Sequence, residues 1–392
     1  MVAITSPETA SLARILAMYN PHNTIARTAG LLTVPEFQAN TIRLEVLAHL
    51  AVVHCAGKEK PGHVELGRWL NKHLGRGEMA MLEDPVEDVF ISNVCIPEGN
   101  RRIFEGIWES NDYFLQLVLD TLMHPRVQRE CQNLLPPVFA LLQLSECVAD
   151  RLSLYRWHIE ASIPKNFVRL DKATRVGDRA RAVTFTNEDL KLLGITRETL
   201  APFILRMENK RAIIGEYIGH SSLERHPLVD FGDTLIFALL PAASPAIRRF
   251  VLSELRQTGY LQEFRSVLES LQARQIEMEG LSELKGDTVS LSPPPPEQER
   301  PPALHSWLLR YDSNKYLHVV LLHDQLDSLV EEGLSSFMKY PEEMRLGLEK
   351  YLNRVARHRQ ALSDCDEGTT LLVMAGLGRG FMLDFKDWPD GW

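Results

Sequence analysis

The chain has 392 residues, 45% of them hydrophobic and 24% charged, a balance that fits a globular protein of two or three domains and excludes a low-complexity or fibrous chain. Its formal net charge of −9 excludes a general nucleic-acid coat, because global repulsion opposes contact with phosphates. The longest apolar runs, Leu235 to Leu240 and Val138 to Leu142, fall far short of the roughly 18 residues of a membrane helix.

The start lacks a basic region followed by an apolar core, so a soluble cytoplasmic protein without membrane association is expected. Five widely separated cysteines with no C-x-x-C pair read as reduced thiols, not as a disulfide frame or a zinc site.

Ser6-Pro7-Glu8 supplies a cap, a proline for the first helical position and an early acid, which predicts a helix to about Asn20, stopped by Pro21. A second helix is expected from Val34-Pro35-Glu36 to Gly57, apolar nearly all round between Leu44 and Val53. Short helices follow at His63 to Leu74 and from Asp84-Pro85 through Phe90, Ile91 and Val94. Residues 96–109 read as an irregular loop, Ser110 caps a helix ended by Pro125, and Pro136-Pro137 leads a long helix from Val138 to about Ala161.

From Lys165 the texture changes. Phe167 to Leu170 and Ala182 to Phe185 flank Val176-Gly177-Asp178 and read as a β-hairpin. Thr186 and Thr196 cap two small helices, and Leu228 to Asp230 pairs with Thr234 to Leu239 across Phe231-Gly232-Asp233. Two helices, from Ser244-Pro245 and from Leu261, precede six prolines between Ser292 and Pro302, a polyproline-type connector. Beyond it, Ser306 to Tyr311 and Tyr316 to Leu322 form a hairpin, two helices follow, and Thr369 to Met374 pairs with Phe381 to Phe385, giving four antiparallel strands.

The expected fold is therefore mixed: a predominantly α-helical, bundle-like region at 1–164, a small β-containing middle part at 165–286, a proline-rich linker at 287–302, and an α+β unit with antiparallel hairpins at 303–392. The strand so close to Trp392 reads as the front part of a longer protein.

Candidate chemistry falls at four places. In the loop Glu98 to Glu109, Arg101 and Arg102 could hold an anion while Glu105 or Glu109 serves as acid, base or metal ligand. On the long helix His158 shares a face with Asp150, two turns away, so any acid/base pairing needs a partner from another element. Between Lys165 and Arg181, the cations Lys165, Arg169, Lys172, Arg175, Arg179 and Arg181 face only Asp171 and Asp178, a local basic patch for nucleic acid or an acidic partner. Arg379 sits in Gly376-Leu377-Gly378-Arg379-Gly380, an order that opens no helix and so reads as a hairpin connection before a phosphate cradle.

His220, His226, Asp230 and Asp233 have the residue types of a metal site but no ligand spacing, so neither metal nor cofactor is expected. No nucleophile elbow, zinc helix, phosphate loop or kinase signature is present. The sequence leaves open whether the chain is an enzyme. The reading it favours is an interaction or regulatory module with a protein partner, in a larger protein or assembly. The alternative is a nucleic-acid-processing or phosphoester-acting enzyme that holds substrate on the 165–181 segment.

Overall fold

The computed structural model describes residues 7–34, 41–62, 65, 68–69, 91–105, 112–154, 176–206, 222–281, 287–291, 305–312, 315–322 and 367–374. In chain order its principal elements begin with α1 (Pro7–Leu16), α2 (Pro21–Leu31), α3 (Thr41–His54), β1 (Ile91–Ile96), β2 (Gly99–Phe104), α4 (Asp112–Leu122) and α5 (Leu135–Arg151). Then come α6 (Val176–Ala182), β3 (Thr184–Thr186), α7 (Asn187–Leu192), β4 (Ile204–Arg206), β5 (Leu228–Asp230), β6 (Thr234–Phe237), α8 (Ala243–Thr258) and α9 (Leu261–Gln275), which passes into a π-helical turn. The last are β7 (Asp287–Leu291), β8 (His305–Asp312), β9 (Lys315–Leu322) and β10 (Glu367–Met374).

The fold is of the expected mixed class: helices dominate the first part, a small sheet follows, and a second sheet lies in the C-terminal part. The described residues divide into two compact units, one through 116 and from 131 to 254, the other from 117 to 130 and beyond 255.

In the first unit, α3 is the central helix. Leu44, Leu47, Ala48, Leu50 and Ala51 are fully buried, each leucine contributing roughly 2 kcal/mol by leaving water. It packs on α1 and α2. Helix α2 corrects the reading of Pro21 as a stop: Asn20 Oδ1 accepts the Asn23 N–H at 3.0 Å, and Pro21 takes the first helical position, where no N–H is needed.

Residues 91–104 depart from expectation more. In place of a helix end and an irregular loop, β1 and β2 form an antiparallel hairpin, Ile91 opposite Phe104 and Ile96 opposite Gly99. Pro97 pre-sets the turn, and Gly99, at φ +118°, accepts a backbone region that a side chain would strain. The long helix is also shorter, ending at Arg151.

The middle sheet has strand order β3-β6-β5-β4. The hairpin β5–β6 is as expected, with Asp230 opposite Leu235. The hairpin expected around Val176-Gly177-Asp178 is instead helix α6 followed by β3, which pairs antiparallel with β6. Alanines and arginines with an acid in the first turn and cations in the last favour the helix. Residues 165–175 lie outside the described residues.

In the second unit the sheet runs β10-β9-β8-β7. Trp307 and Val319 pack with Ala273, and the Trp307 indole donates to Glu277 Oε1 at 2.8 Å. Two expectations change. The pair β9–β10 is parallel, which the long stretch 323–366 permits because a parallel return needs a long crossover. And 287–291, assigned to the linker, is strand β7, with Leu291 opposite Ser306 of β8. The remaining linker residues and 375–392 lie outside the described residues.

Candidate functional site

The arginines singled out in the sequence are the natural start, because an anion site needs guanidinium donors free to meet it. Arg102 stands on β2 with its side chain only 13% exposed. Its backbone N–H donates to Glu146 Oε2 at 2.6 Å, its Nε lies 3.1 Å from both Glu146 oxygens, and its terminal nitrogens bond Asp150 and the Leu154 carbonyl. The Glu146 bond, against the opposing pull of burial, raises Arg102 further above its already high pKa. Burial alone would push the Glu146 carboxyl up, but the bonds from Arg102 outweigh it and hold it below the usual range. Arg102 thus fastens the hairpin to the C-terminal end of α5, where a cation also suits the helix dipole.

The neighbouring arginines behave alike. Arg151, at the end of α5, donates to the carbonyls of Ala182 and Thr184 at 3.1 and 2.9 Å and to Asp189 Oδ1 at 2.6 Å, with its guanidinium 4.6 Å over the Phe185 ring. The same Asp189 closes a capping box with Thr186 at the start of α7. Burial pulls Asp189 up, yet the Thr186 and Arg151 bonds keep its carboxyl below the usual range. Arg197 bonds Asp230, Asn187 and the Gly232 carbonyl.

Of the basic segment, Arg179 turns inward to the Thr33 carbonyl and hydroxyl just beyond α2, while Arg181, 80% exposed, pairs with Asp178. Arg101 donates to the Asn100 carbonyl at 3.0 Å. Glu109, His158, Arg169, Lys172, Arg175, His220 and Arg379 lie outside the described residues. Asp150, read as sharing a helix face with His158, binds Arg102.

Apart from Glu105, the residues that sequence reasoning passed over are the buried polar and ionisable ones. Glu45 and His49, one turn apart on α3, are buried in the run read as apolar all round. His49 is pushed down to about 4 by burial and is neutral near pH 7. Glu105 is buried directly after β2 and accepts a hydrogen bond from Ser92 on β1. Ser244 and Arg248, again one turn apart, are buried on α8, whose lead-in turn Leu240–Ala242 packs against β2. The available signal was an ionisable residue inside an apolar stretch, since such groups are seldom fully buried unless paired.

Chemically, His49 offers a neutral imidazole near pH 7 and Glu105 a carboxylate hydrogen-bonded to Ser92, both in a low-dielectric interior. Of the set, Glu105 alone was read from the sequence as an acid or base. Among the described residues, no group of three or more His, Cys, Asp or Glu is placed to hold a metal ion. Asp230 of the expected His/Asp set instead accepts the Gly232 N–H at 2.9 Å and pairs with Arg197.

The model of a protein family described as anti-phage protein Upx-like matches residues 3–392. The chain belongs to this family. No curated protein and no solved structure matches it. Membership of the Upx-like family brings with it a role in defence against phage. Among the described residues no helix is long and apolar enough to cross a membrane.

Proposed function

We propose that this chain serves phage defence as an interaction or regulatory module of a larger protein or assembly, and that its described part holds and presents surfaces without breaking bonds in a substrate. One observation carries the reading: Arg102, Arg151, Arg179 and Arg197 are each committed to carbonyls, carboxylates or hydroxyls of the same unit. Guanidinium donors spent in this way lock β2, α5, α6 and the β5–β6 turn together and are not aimed at a bound anion.

The competing enzyme reading rests on Glu105 and on the basic segment. The two are separated by phage plating on cells producing the protein with Glu105→Gln, alongside the thermal melt of the same variant. A module keeps its protection wherever the variant stays folded; lost protection at an unchanged melting temperature would assign chemistry to Glu105 and overturn the proposal. A salt titration of DNA and RNA binding with Arg181→Ala supplies the second arm. Wild-type binding that weakens steeply with salt and falls in the variant would favour the nucleic-acid reading.

A further inference from the structure

Helix α8 starts inside the protein. Every residue from Pro241 to Arg248 is buried, so the positive end of a 16-residue helix lies in a low-dielectric interior. Such an end is ordinarily answered by a capping side chain or an early acid. Here the lead-in turn Leu240–Ala242 has no side-chain cap, and the first turn of α8 holds no acid.

Two donor-bearing side chains occupy that end instead. Ser244 is 4% exposed, and its Oγ has no hydrogen-bond partner. Arg248, one turn on, is fully buried. It is not without a partner in the protein, yet its Nε and Nη1 donate no hydrogen bond. Residues four apart on a helix are neighbours, with Cβ atoms roughly 5–6 Å apart, so the hydroxyl and the guanidinium can reach one group together. The next residue shows the contrast. Arg249 donates to Glu224 at 2.8 Å, on the short helix Ser222–Arg225 that packs against the same lead-in turn.

Buried polar atoms in native proteins are nearly always satisfied, and an orphan calls for a water or an ion. The donors decide which ion. A guanidinium only donates, and a hydroxyl beside it can donate as well. Added to the positive end of a helix, this set matches an oxyanion and repels a metal cation.

We propose that the N-terminal turn of α8 binds a small tetrahedral oxyanion of the phosphate class, held by Ser244 Oγ and by Arg248 Nε and Nη1. The burial of both side chains limits the site to the phosphate group itself, free or at the end of a larger molecule. The proposal adds a ligand to the reading of the chain as an interaction module and does not depend on that reading.

The test is thermal melting of the full chain in a titration of inorganic phosphate, with sodium chloride at matched ionic strength as the control. A ligand that binds only the folded protein raises the melting temperature with its concentration. The wild type shows that rise in phosphate beyond any rise in chloride. Ser244→Ala weakens phosphate binding about tenfold, while without phosphate it melts at or above the wild-type temperature because an orphan hydroxyl is gone. Arg248→Lys keeps the charge, loses the fork and weakens binding about tenfold as well; should it fail to fold, Ser244→Ala carries the test. Arg181→Ala, on an 80% exposed side chain, leaves the response unchanged. A parallel titration with a nucleoside monophosphate identifies the source: a larger shift than with inorganic phosphate assigns the site to a phosphate carried by a larger molecule, a smaller one to free phosphate.

A wild type that responds to phosphate no more than to chloride overturns the proposal. So does a phosphate response that survives at full strength in Ser244→Ala, which would leave the hydroxyl holding a water at most. A response lost in Arg181→Ala would place the binding on the surface and overturn it too. Protection of cells against phage tests the module reading separately.

Discussion

Replacing Arg102 by alanine tests whether this arginine is a fastening or an anion contact. Its side chain is 13% exposed and that of its main partner Glu146 is 16% exposed, while Asp150 is 67% exposed. Truncation therefore strands a mostly buried carboxylate, a change that costs about 3–5 kcal/mol when both partners are fully buried. The residual exposure and the retained backbone bond to Glu146 reduce that to about 3 kcal/mol. Arg102→Lys, a compact point charge unable to span both Glu146 oxygens, should lose about 1–2 kcal/mol. Asp150→Asn, on the exposed arm, should lose less than about 1 kcal/mol. Urea unfolding followed by far-ultraviolet circular dichroism reads all three, and a double-mutant cycle with Glu146→Ala should give a coupling above about 1.5 kcal/mol. An Arg102→Ala protein that unfolds at the wild-type urea midpoint would refute the reasoning, most directly if phosphate or nucleic-acid binding fell instead.

Three further outcomes follow from the same geometry. His49 is held neutral by burial with a pKa of about 4, so the unfolded chain, near the ordinary 6.5, takes up its proton first. Its contribution is full above about pH 6.5 and is lost as pH falls toward about 4, some 3 kcal/mol in all. His49→Met should flatten that part of the stability profile, and an unchanged acid slope would count against it. At Gly30 an added Cβ would lie 2.8 Å from the Ala180 backbone nitrogen, so Gly30→Ala should destabilise by about 1–2 kcal/mol; an open helical glycine would instead gain about 0.5–1 kcal/mol, which thermal melting distinguishes. Thr186→Ala opens the capping box with Asp189 and should cost about 1 kcal/mol, visible as faster amide exchange in α7.

What could be read from the sequence was whatever neighbours in the chain decide. Thr186 and Asp189 stand three apart and cap α7 as that spacing demands. The turn Phe231-Gly232-Asp233 joins β5 to β6 as its residues require. Asn20-Pro21 carried an equally local message, cap then first helical position, which was legible but read as a stop. The hairpin β1–β2 was harder. Ile91 and Val94 are three apart, a spacing that also suits a helix, and the strand is secured by Gln116 and Glu146 from distant helices. Arg102 illustrates the same limit: its charged neighbours in sequence suggested a local constellation, but its chief partner Glu146 lies 44 residues away. A charge pattern along the chain counts cations and does not reveal which carboxylates fold onto them.

The proline-rich stretch shows how composition and topology part company. Prolines remove donors and stiffen the backbone, which is why the segment was read as an extended connector. Its role as a divider did not follow from that, because stiffness is local and the meaning of a connection lies in what its two ends do. Leu291 pairs with Ser306, and β7 and β8 both belong to the second unit. The stretch joins neighbouring antiparallel strands of one sheet, and closing such a connection carries an entropic cost that grows only slowly with length. A long proline-rich insert can therefore sit between paired strands without separating domains, and the division between units must be sought where few contacts cross, not where prolines gather.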